Sequence, residues 1–369
     1  MKPLLKWPGG KGRELPQIYG LIPDFDRYIE PFFGGGALYF HLQPKSAAIN
    51  DVSHDLMEFY HLIRTQNPEF KACLYSYAGS FQGLLDLGRR NVTHLLSVYS
   101  QVAVYPQGAH EAMSELLDVW MPEILSLFSE PLIQNKDAFR KELEEALWDK
   151  LVRTEQNQKK APFPPDDLAE NLVTGLASGY YLYFRQVYND WHLDRLDLSP
   201  GQRGANFFFI RENCYGSMFR YNRHGEFNIP YGGMSYNKKD FTAKVEALFQ
   251  PETAALFART QIYCRDFEEF LAQVRPGKND FLFLDPPYDT DFSDYEGEAF
   301  TKLDQARLAV ALSKTPAKFL LIIKNTPFIE ALYSQGFYIR RFDKQYTYNV
   351  RSRNDRSAEH LIITNYDMD

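Results

Sequence analysis

A chain of 369 residues with 44% hydrophobic content can enclose a sizeable core, as one enlarged domain or as two. Its cysteines, Cys73, Cys214 and Cys264, are odd in number and form no C-x-x-C pair, which excludes a disulfide framework, and nothing has zinc-ligand spacing, so no metal is expected. Apolar runs such as 319–323 are far too short to span a bilayer and the N-terminus lacks a secretory segment. No membrane partner is therefore expected, and the expected location is cytoplasmic. The net charge of -7 argues at first against a phosphate-rich partner. Residues 107–170, however, hold fourteen Asp and Glu against seven Lys and Arg, a surplus equal to that of the whole chain. Elsewhere two basic clusters survive: Arg211, Arg220, Arg223, Lys238 and Lys239, and then Arg340, Arg341, Lys344, Arg351, Arg353 and Arg356.

From Tyr28 to Ile63 the pattern reads strand (28–30), glycine turn (34–36), helix (37–42), strand (47–50), helix, the opening of a doubly wound sheet. From about Lys71 to Gly179 it turns helical, with Phe139, Leu143, Leu147 and Leu151 at four-residue spacing, broken by Pro162, Pro164 and Pro165. A second helical run, 172–191, leads into a β-hairpin-like segment expected from Asn206 to Tyr236. After Asp240 the α/β pattern resumes, with strands expected at 260–264, 281–284, 319–323, 338–342 and 360–364 and helices at 305–312 and 327–333.

Three places on this frame carry chemistry. Phe32-Phe33-Gly34-Gly35-Gly36, in the first βα turn, lets a ligand approach backbone closely, though glycines there also serve packing. The next strand ends at Asn50-Asp51, where a carboxylate would meet ribose hydroxyls. No phosphate loop is present and Glu30 in front of the glycines would repel an anion, which points to an uncharged or cationic adenosine derivative. Asp285-Pro286-Pro287-Tyr288 follows the apolar run 281–284 and sets a carboxylate, a carbonyl aimed by the two proline rings, and an aromatic ring at one strand end. The carboxylate and carbonyl can each accept an N–H of an exocyclic amine while the ring stacks on its base; a plain proline turn is the alternative.

Lys6-Trp7-Pro8-Gly9-Gly10-Lys11, Glu30-Pro31-Phe32-Phe33-Gly34-Gly35-Gly36, Asn50-Asp51 and Asp285-Pro286-Pro287-Tyr288, in this order, resemble the motifs of the Dam-type (class alpha) DNA adenine-N6 methyltransferases. Tyr215-Gly216-Ser217-Met218-Phe219-Arg220-Tyr221-Asn222 and the following 225–232 look like that family's DNA-reading hairpin, although Gly216 stands where the family often has Asn, which leaves the familiar GATC target open. The resemblance covers residues 1 to about 70 and about 180 onward. It implies a Rossmann-like, doubly wound, mostly parallel sheet binding S-adenosylmethionine, formed by 1–64 and 240–369, with an inserted, mainly helical DNA-recognition domain at 65–239 that carries the hairpin. About 76–178 is then an extra acidic helical insertion, either a structural extension or a docking surface for a protein partner or a cap that alters site recognition.

The same resemblance implies Trp7, Lys11, Phe32, Gly34, Gly36, Asp51, Asp266, Phe267 and Asp285 around the cofactor, and Asp285, Pro286, Pro287 and Tyr288 at the reacting amine. It implies Tyr215, Met218, Arg220, Asn222, Arg223, Asn228, Arg351 and Arg353 along double-stranded DNA, where Arg pairs bidentately with guanine and Asn with adenine. The function so implied is methyl transfer from S-adenosylmethionine to N6 of a flipped-out adenine by a monomeric enzyme. An RNA adenine-N6 methyltransferase and a catalytically silent DNA-binding regulator on the same fold are the alternatives.

Overall fold

The computed structural model describes residues 1–8, 15–287, 300–345 and 357–368. The chain divides into two compact units, one of Met1–Pro3, Trp7–Arg64 and Pro251–Asp369, the other of Leu4–Lys6 and Thr65–Gln250. The first is built on seven strands: β1 (Arg27–Glu30), β2 (Ala47–Asn50), β3 (Thr260–Tyr263), β4 (Asp280–Leu284), β5 (Lys318–Lys324), β6 (Tyr338–Gln345) and β7 (Ser357–Thr364). They lie in the order β3-β2-β1-β4-β5-β7-β6. The pairs among β1 to β5 are parallel, and β7 runs antiparallel to both β5 and β6. This is an α/β fold on a mixed, mostly parallel sheet.

The strand sequences explain that placement. Ala47-Ala48-Ile49-Asn50 and Asp280-Phe281-Leu282-Phe283-Leu284 are buried at every position, as strands covered by helices on both faces must be. Helices His54–Arg64, Phe267–Val274, Lys302–Lys314 and Pro327–Tyr333 supply the cover, with Phe270, Leu308, Leu312 and Ile329 in the same apolar cluster as Ile29 and Leu282. Strand order reverses beside β1, whose neighbours β2 and β4 are reached by separate crossovers. In an open α/β sheet that switch point opens a crevice at the carboxyl ends of the strands.

The second unit is helical, with Pro68–Arg90, Val92–Gln101, Pro106–Ser126, Lys136–Lys160, Pro165–His192, Pro200–Asn213 and Phe241–Leu248 as its elements. Phe139, Leu143, Leu147 and Leu151 are fully buried. Their helix lies close against Pro165–His192: a Cβ on Gly179 would stand 2.6 Å from the Leu143 Cα, and one on Gly175 would stand 3.1 Å from the Leu147 Cα. The apolar stripe is therefore covered within its own unit.

One expectation changes. Residues 206–213 belong to a helix, not to a hairpin: Ser199 and Gln202 form a capping box, Pro200 takes the first turn, and Phe207, Phe208 and Phe209 are all buried. The aromatic run reads as a strand because apolar neighbours in a helix walled in on several sides lose their period. The hairpin is confined to 214–231, where the bridges Cys214 to Tyr231 and Tyr221 to Phe227 are isolated ones. Helix Phe241–Leu248 packs Phe241 against Phe208 and Phe209 within the second compact unit.

Candidate active site

Three acidic side chains meet at the carboxyl ends of adjacent strands. Glu30 ends β1, Asp51 follows β2 and Asp285 follows β4. Glu30 is only 2% exposed and accepts a hydrogen bond from the Tyr28 hydroxyl at 2.8 Å. Burial holds its carboxyl well above the ordinary carboxylate range; the Tyr28 hydroxyl works against that, and the charges of Asp285 and Asp51 add to it. Asp51 accepts from the backbone N–H of Gly34 at 2.8 Å through Oδ2 and from that of Ser53 at 3.1 Å through Oδ1. Its carboxyl is raised by burial, and these N–H groups oppose the rise. The charges of Asp285 and Asp51 thus add to the cost of ionising Glu30, and a cation brought to this recess would relieve that repulsion.

In the turn between β1 and its helix, beside this recess, two aromatic rings approach the backbone closely. Gly34 and Gly36 have φ of +48° and +62°, which glycine adopts without penalty. A Cβ on Gly34 would lie 2.8 Å from the Trp7 ring, and one on Gly36 would lie 2.4 Å from the Phe33 ring. Asn50, fully buried, ties the strand ends together, donating to the carbonyls of Pro31 at 3.0 Å and Arg265 at 2.9 Å and accepting from the Arg265 N–H. The Tyr60 hydroxyl donates to the Gly34 carbonyl.

Beside the glycines stands an aromatic cluster. Phe32 lies 5.5 Å from Phe267 and 5.5 Å, edge-on, from Phe300. Asp266 caps the helix Phe267–Val274 through the Glu268 N–H and accepts from Arg307 at 2.7 Å, while the Arg307 guanidinium lies 4.9 Å from the Phe267 ring centre. Asp266 and Phe267 are thus fixed from two sides, by a helix terminus and by a bidentate cation that also reaches Glu268 and Asp304.

At the end of β4, Pro286 is buried while Asp285 and Pro287 are half-buried. The carbonyl of Pro287 accepts from Gln305 Nε2 at 2.9 Å. The structure therefore brings Trp7, Phe32, Gly34, Gly36, Asp51, Asp266, Phe267, Asp285, Pro286 and Pro287 into one unit. Expected site residues Lys11, Tyr288, Arg351 and Arg353 lie outside the described residues. The sequence offered no sign of Arg307 or Phe300. Gln305 did leave one, a polar residue on the same helical face as Leu308, Ala309 and Leu312.

The remaining candidates lie in the other unit, on the loop 214–231. Its ends are tied by the Tyr215 N–H to the Pro230 carbonyl and the Gly232 N–H to the Asn213 carbonyl. Asn189 of the long helix holds its middle with two hydrogen bonds to Phe227, donating to the carbonyl at 3.1 Å and accepting from the N–H at 2.8 Å. The Tyr181 hydroxyl donates to the Ile229 carbonyl at 3.0 Å. Tyr215, Met218, Arg220 and Arg223 are exposed, and the Arg220 Nε donates to the Asn228 side chain. Asn222 is engaged by its own turn, its Oδ1 accepting from the N–H of His224 and Glu226. Arg211, expected in a surface cluster, is fully buried, its guanidinium 3.4 Å from the Phe219 ring centre. No helix among the described residues is long and apolar enough to cross a membrane.

Against this geometry, the family model for D12 class N6 adenine-specific DNA methyltransferase matches residues 7–82 and 128–348. The unmatched stretch, 83–127, falls inside the segment 76–178 expected to be additional and is narrower than it. Type II methyltransferase M.CviBI of Paramecium bursaria Chlorella virus NC1A is 24% identical over 99% of this chain and 100% of its own length. Type II methyltransferase M.MjaIII of Methanocaldococcus jannaschii is 27% identical over 99% of each chain. Type II methyltransferase M1.LlaDCHI of Lactococcus lactis subsp. cremoris is 22% identical over 99% of this chain and 96% of its own.

Proposed function

The chain belongs to the D12 class of N6 adenine-specific DNA methyltransferases, S-adenosylmethionine-dependent enzymes, and on that premise we propose that the strand-edge recess of Glu30, Asp51 and Asp285 is the place where methyl transfer occurs. The observation that carries this reading is the convergence of the three carboxyls, with Asp285 opening the Asp285-Pro286-Pro287 loop at the switch point of the sheet. Membership of a DNA family sets the RNA reading aside.

The residues fit the cofactor. A cationic sulfonium bearing an ammonium suits a recess lined by carboxyls, and the Phe32, Phe267 and Phe300 rings form an apolar wall for an adenine. Asp51, held rigid by two backbone N–H groups, is placed for the ribose hydroxyls. When bound, S-adenosylmethionine supplies an electrophilic methyl whose sulfur leaves as a neutral thioether.

Asp285 and the Pro286 carbonyl accept the two N–H bonds of the target amine. The amino lone pair is delocalised into the adenine ring, and holding both protons favours the pyramidal nitrogen that can attack. Once methylated, the nitrogen would carry an extra proton, which the Asp285 carboxylate would take and pass to solvent. The adenine must leave the duplex to reach this place, and Tyr288 is the residue proposed to stack on it.

Residues 65–239 are proposed to read the DNA through the exposed loop side chains Tyr215, Met218, Arg220 and Arg223, with Asn228 behind Arg220 and with Arg351 and Arg353 as further contacts. Asn222 sustains the loop's turn and serves reading only by shaping it. The covered stripe Phe139 to Leu151 favours a structural role for the extra helices. The likeness to type II methyltransferases over nearly the whole chain suggests a partner restriction enzyme. Expression in a methylation-free host, with modified adenines mapped genome-wide, tests activity and gives the target. Asp285→Ala is expected to fold, bind DNA and transfer no methyl group; a methylated genome from that variant would sink the assignment.

A further inference from the structure

We propose that Gln305 is a positioning residue for methyl transfer, acting on the Asp285-Pro286-Pro287 loop by holding the carbonyl of Pro287. This rests on the reading of that loop as the seat of the target amine.

Gln305 is fully buried in the second turn of the helix Lys302–Lys314. Leu308, Ala309 and Leu312, three, four and seven residues on, share its face and lie in the apolar core. The pattern asks for an apolar side chain at 305. What stands there is an amide whose Nε2 donates to the Pro287 carbonyl at 2.9 Å and whose Oε1 has no hydrogen-bond partner among the described residues. With the amide turned over, oxygen would face oxygen, so the bond itself fixes its orientation. A buried amide satisfied at one end only is an unfavourable component of a core, and a leucine of similar size would complete the stripe without it. Stability therefore does not call for glutamine here, whereas the loop does.

The proline ring already fixes φ at Pro287, and a carbonyl held in place fixes the second backbone angle as well. The peptide plane between Pro286 and Pro287, which carries the acceptor proposed for the amine, then has little freedom to rock. The post to which it is tied is itself anchored. Thr301 and Asp304 form a capping box at the start of the helix, and Arg307 joins its second turn to Asp266, the residue proposed to lie by the cofactor's adenine. One helix start thus links the cofactor's adenine end to the amine-binding loop.

The test compares Gln305→Leu, which completes the apolar stripe, and Gln305→Met, which keeps the length of the side chain but cannot donate to the carbonyl. Each is measured with DNA from a methylation-free host and labelled S-adenosylmethionine, alongside Asp285→Ala. In both variants the turnover number is expected to fall about ten- to a hundredfold, as small misplacements of reacting groups do. The KM for S-adenosylmethionine is expected to stay within about twofold, because ground-state binding is not what the bond serves. The thermal midpoint of Gln305→Leu is expected not to fall. Native turnover in both Gln305 variants, with Asp285→Ala inactive, would overturn the positioning role alone. Cofactor binding or folding lost in step with turnover in both would overturn it too, making Gln305 a support of the fold. Activity in Asp285→Ala would overturn the reading on which the inference rests.

Discussion

At the carboxyl edge of the sheet the groups proposed to do chemistry are themselves the ones that are tied. Backbone N–H groups hold Asp51, a helix terminus and Arg307 hold Asp266, and Gln305 holds the loop that begins at Asp285. In the loop 214–231 it is the backbone that is tied, by Asn189, Tyr181 and the turn of Asn222, while Tyr215, Met218, Arg220 and Arg223 extend from it into solvent. The contrast matches what each region is proposed to do. Methyl transfer rewards fixed acceptors, since misplacement is felt in the rate. Reading DNA rewards a firm frame with side chains that can settle against phosphates and base edges. Damage to the first region should therefore be felt in cofactor binding and turnover, and damage to the frame of the second in the DNA alone.

The sharpest way to break that contrast is at Gly36. A valine there would force a β-branched residue to φ of +62° and drive its Cβ into the Phe33 ring. Strain and overpacking together should cost about 2–4 kcal/mol of stability, read in thermal melts. Since the same turn borders the recess, calorimetric titration should show cofactor affinity lowered by about tenfold or more, the equivalent of 1.4 kcal/mol. A folded Gly36→Val with native cofactor affinity would remove the glycine turn from the site. The next effect in size belongs to Asn189→Ala, which leaves the buried N–H and carbonyl of Phe227 without partners at a cost of about 2–4 kcal/mol. Here the KM for DNA should rise while the affinity for S-adenosylmethionine stays native. Equal losses of both would show that the loop is not an independent frame.

Much of the first region was legible because its signals are local. A continuous apolar run ending at a charge defines a parallel strand and its functional end together, so β1, β2, β4 and β5 and the residues following them could be placed from sequence. The helix Pro200–Asn213 was not legible beyond its cap: Phe207, Phe208 and Phe209 look alike in a strand and in a helix buried on several sides. Nor could sequence reveal Arg307 or Phe300, since only folding sets them against Asp266 and Phe32. Arg211 misled for a related reason, because a cation buried over an aromatic ring has the same sequence signature as one in a surface patch.

The smallest effect probes how much strain the carboxyl edge carries without ligand. Glu30 is held above the ordinary carboxylate range by burial and by the charges of Asp285 and Asp51. At a pH below about 4.3, the ordinary value for Glu, both folded and unfolded chains keep its proton and nothing is lost. As pH rises past that value the unfolded chain releases the proton while the folded chain retains it, so the contribution to stability falls until pH passes the raised folded value. In Glu30→Gln the amide has no proton to release, and its carbonyl can still accept from the Tyr28 hydroxyl. The thermal midpoint of this variant relative to the native chain should therefore climb as pH rises above about 4.3. Saturating S-adenosylmethionine should lessen the climb, since a cation in the recess offsets the part of the rise that the charges of Asp285 and Asp51 add to that of burial. A difference in midpoint that stayed level with pH would mean that the recess is not electrostatically strained, and the case for a cation there would rest on the sheet topology alone.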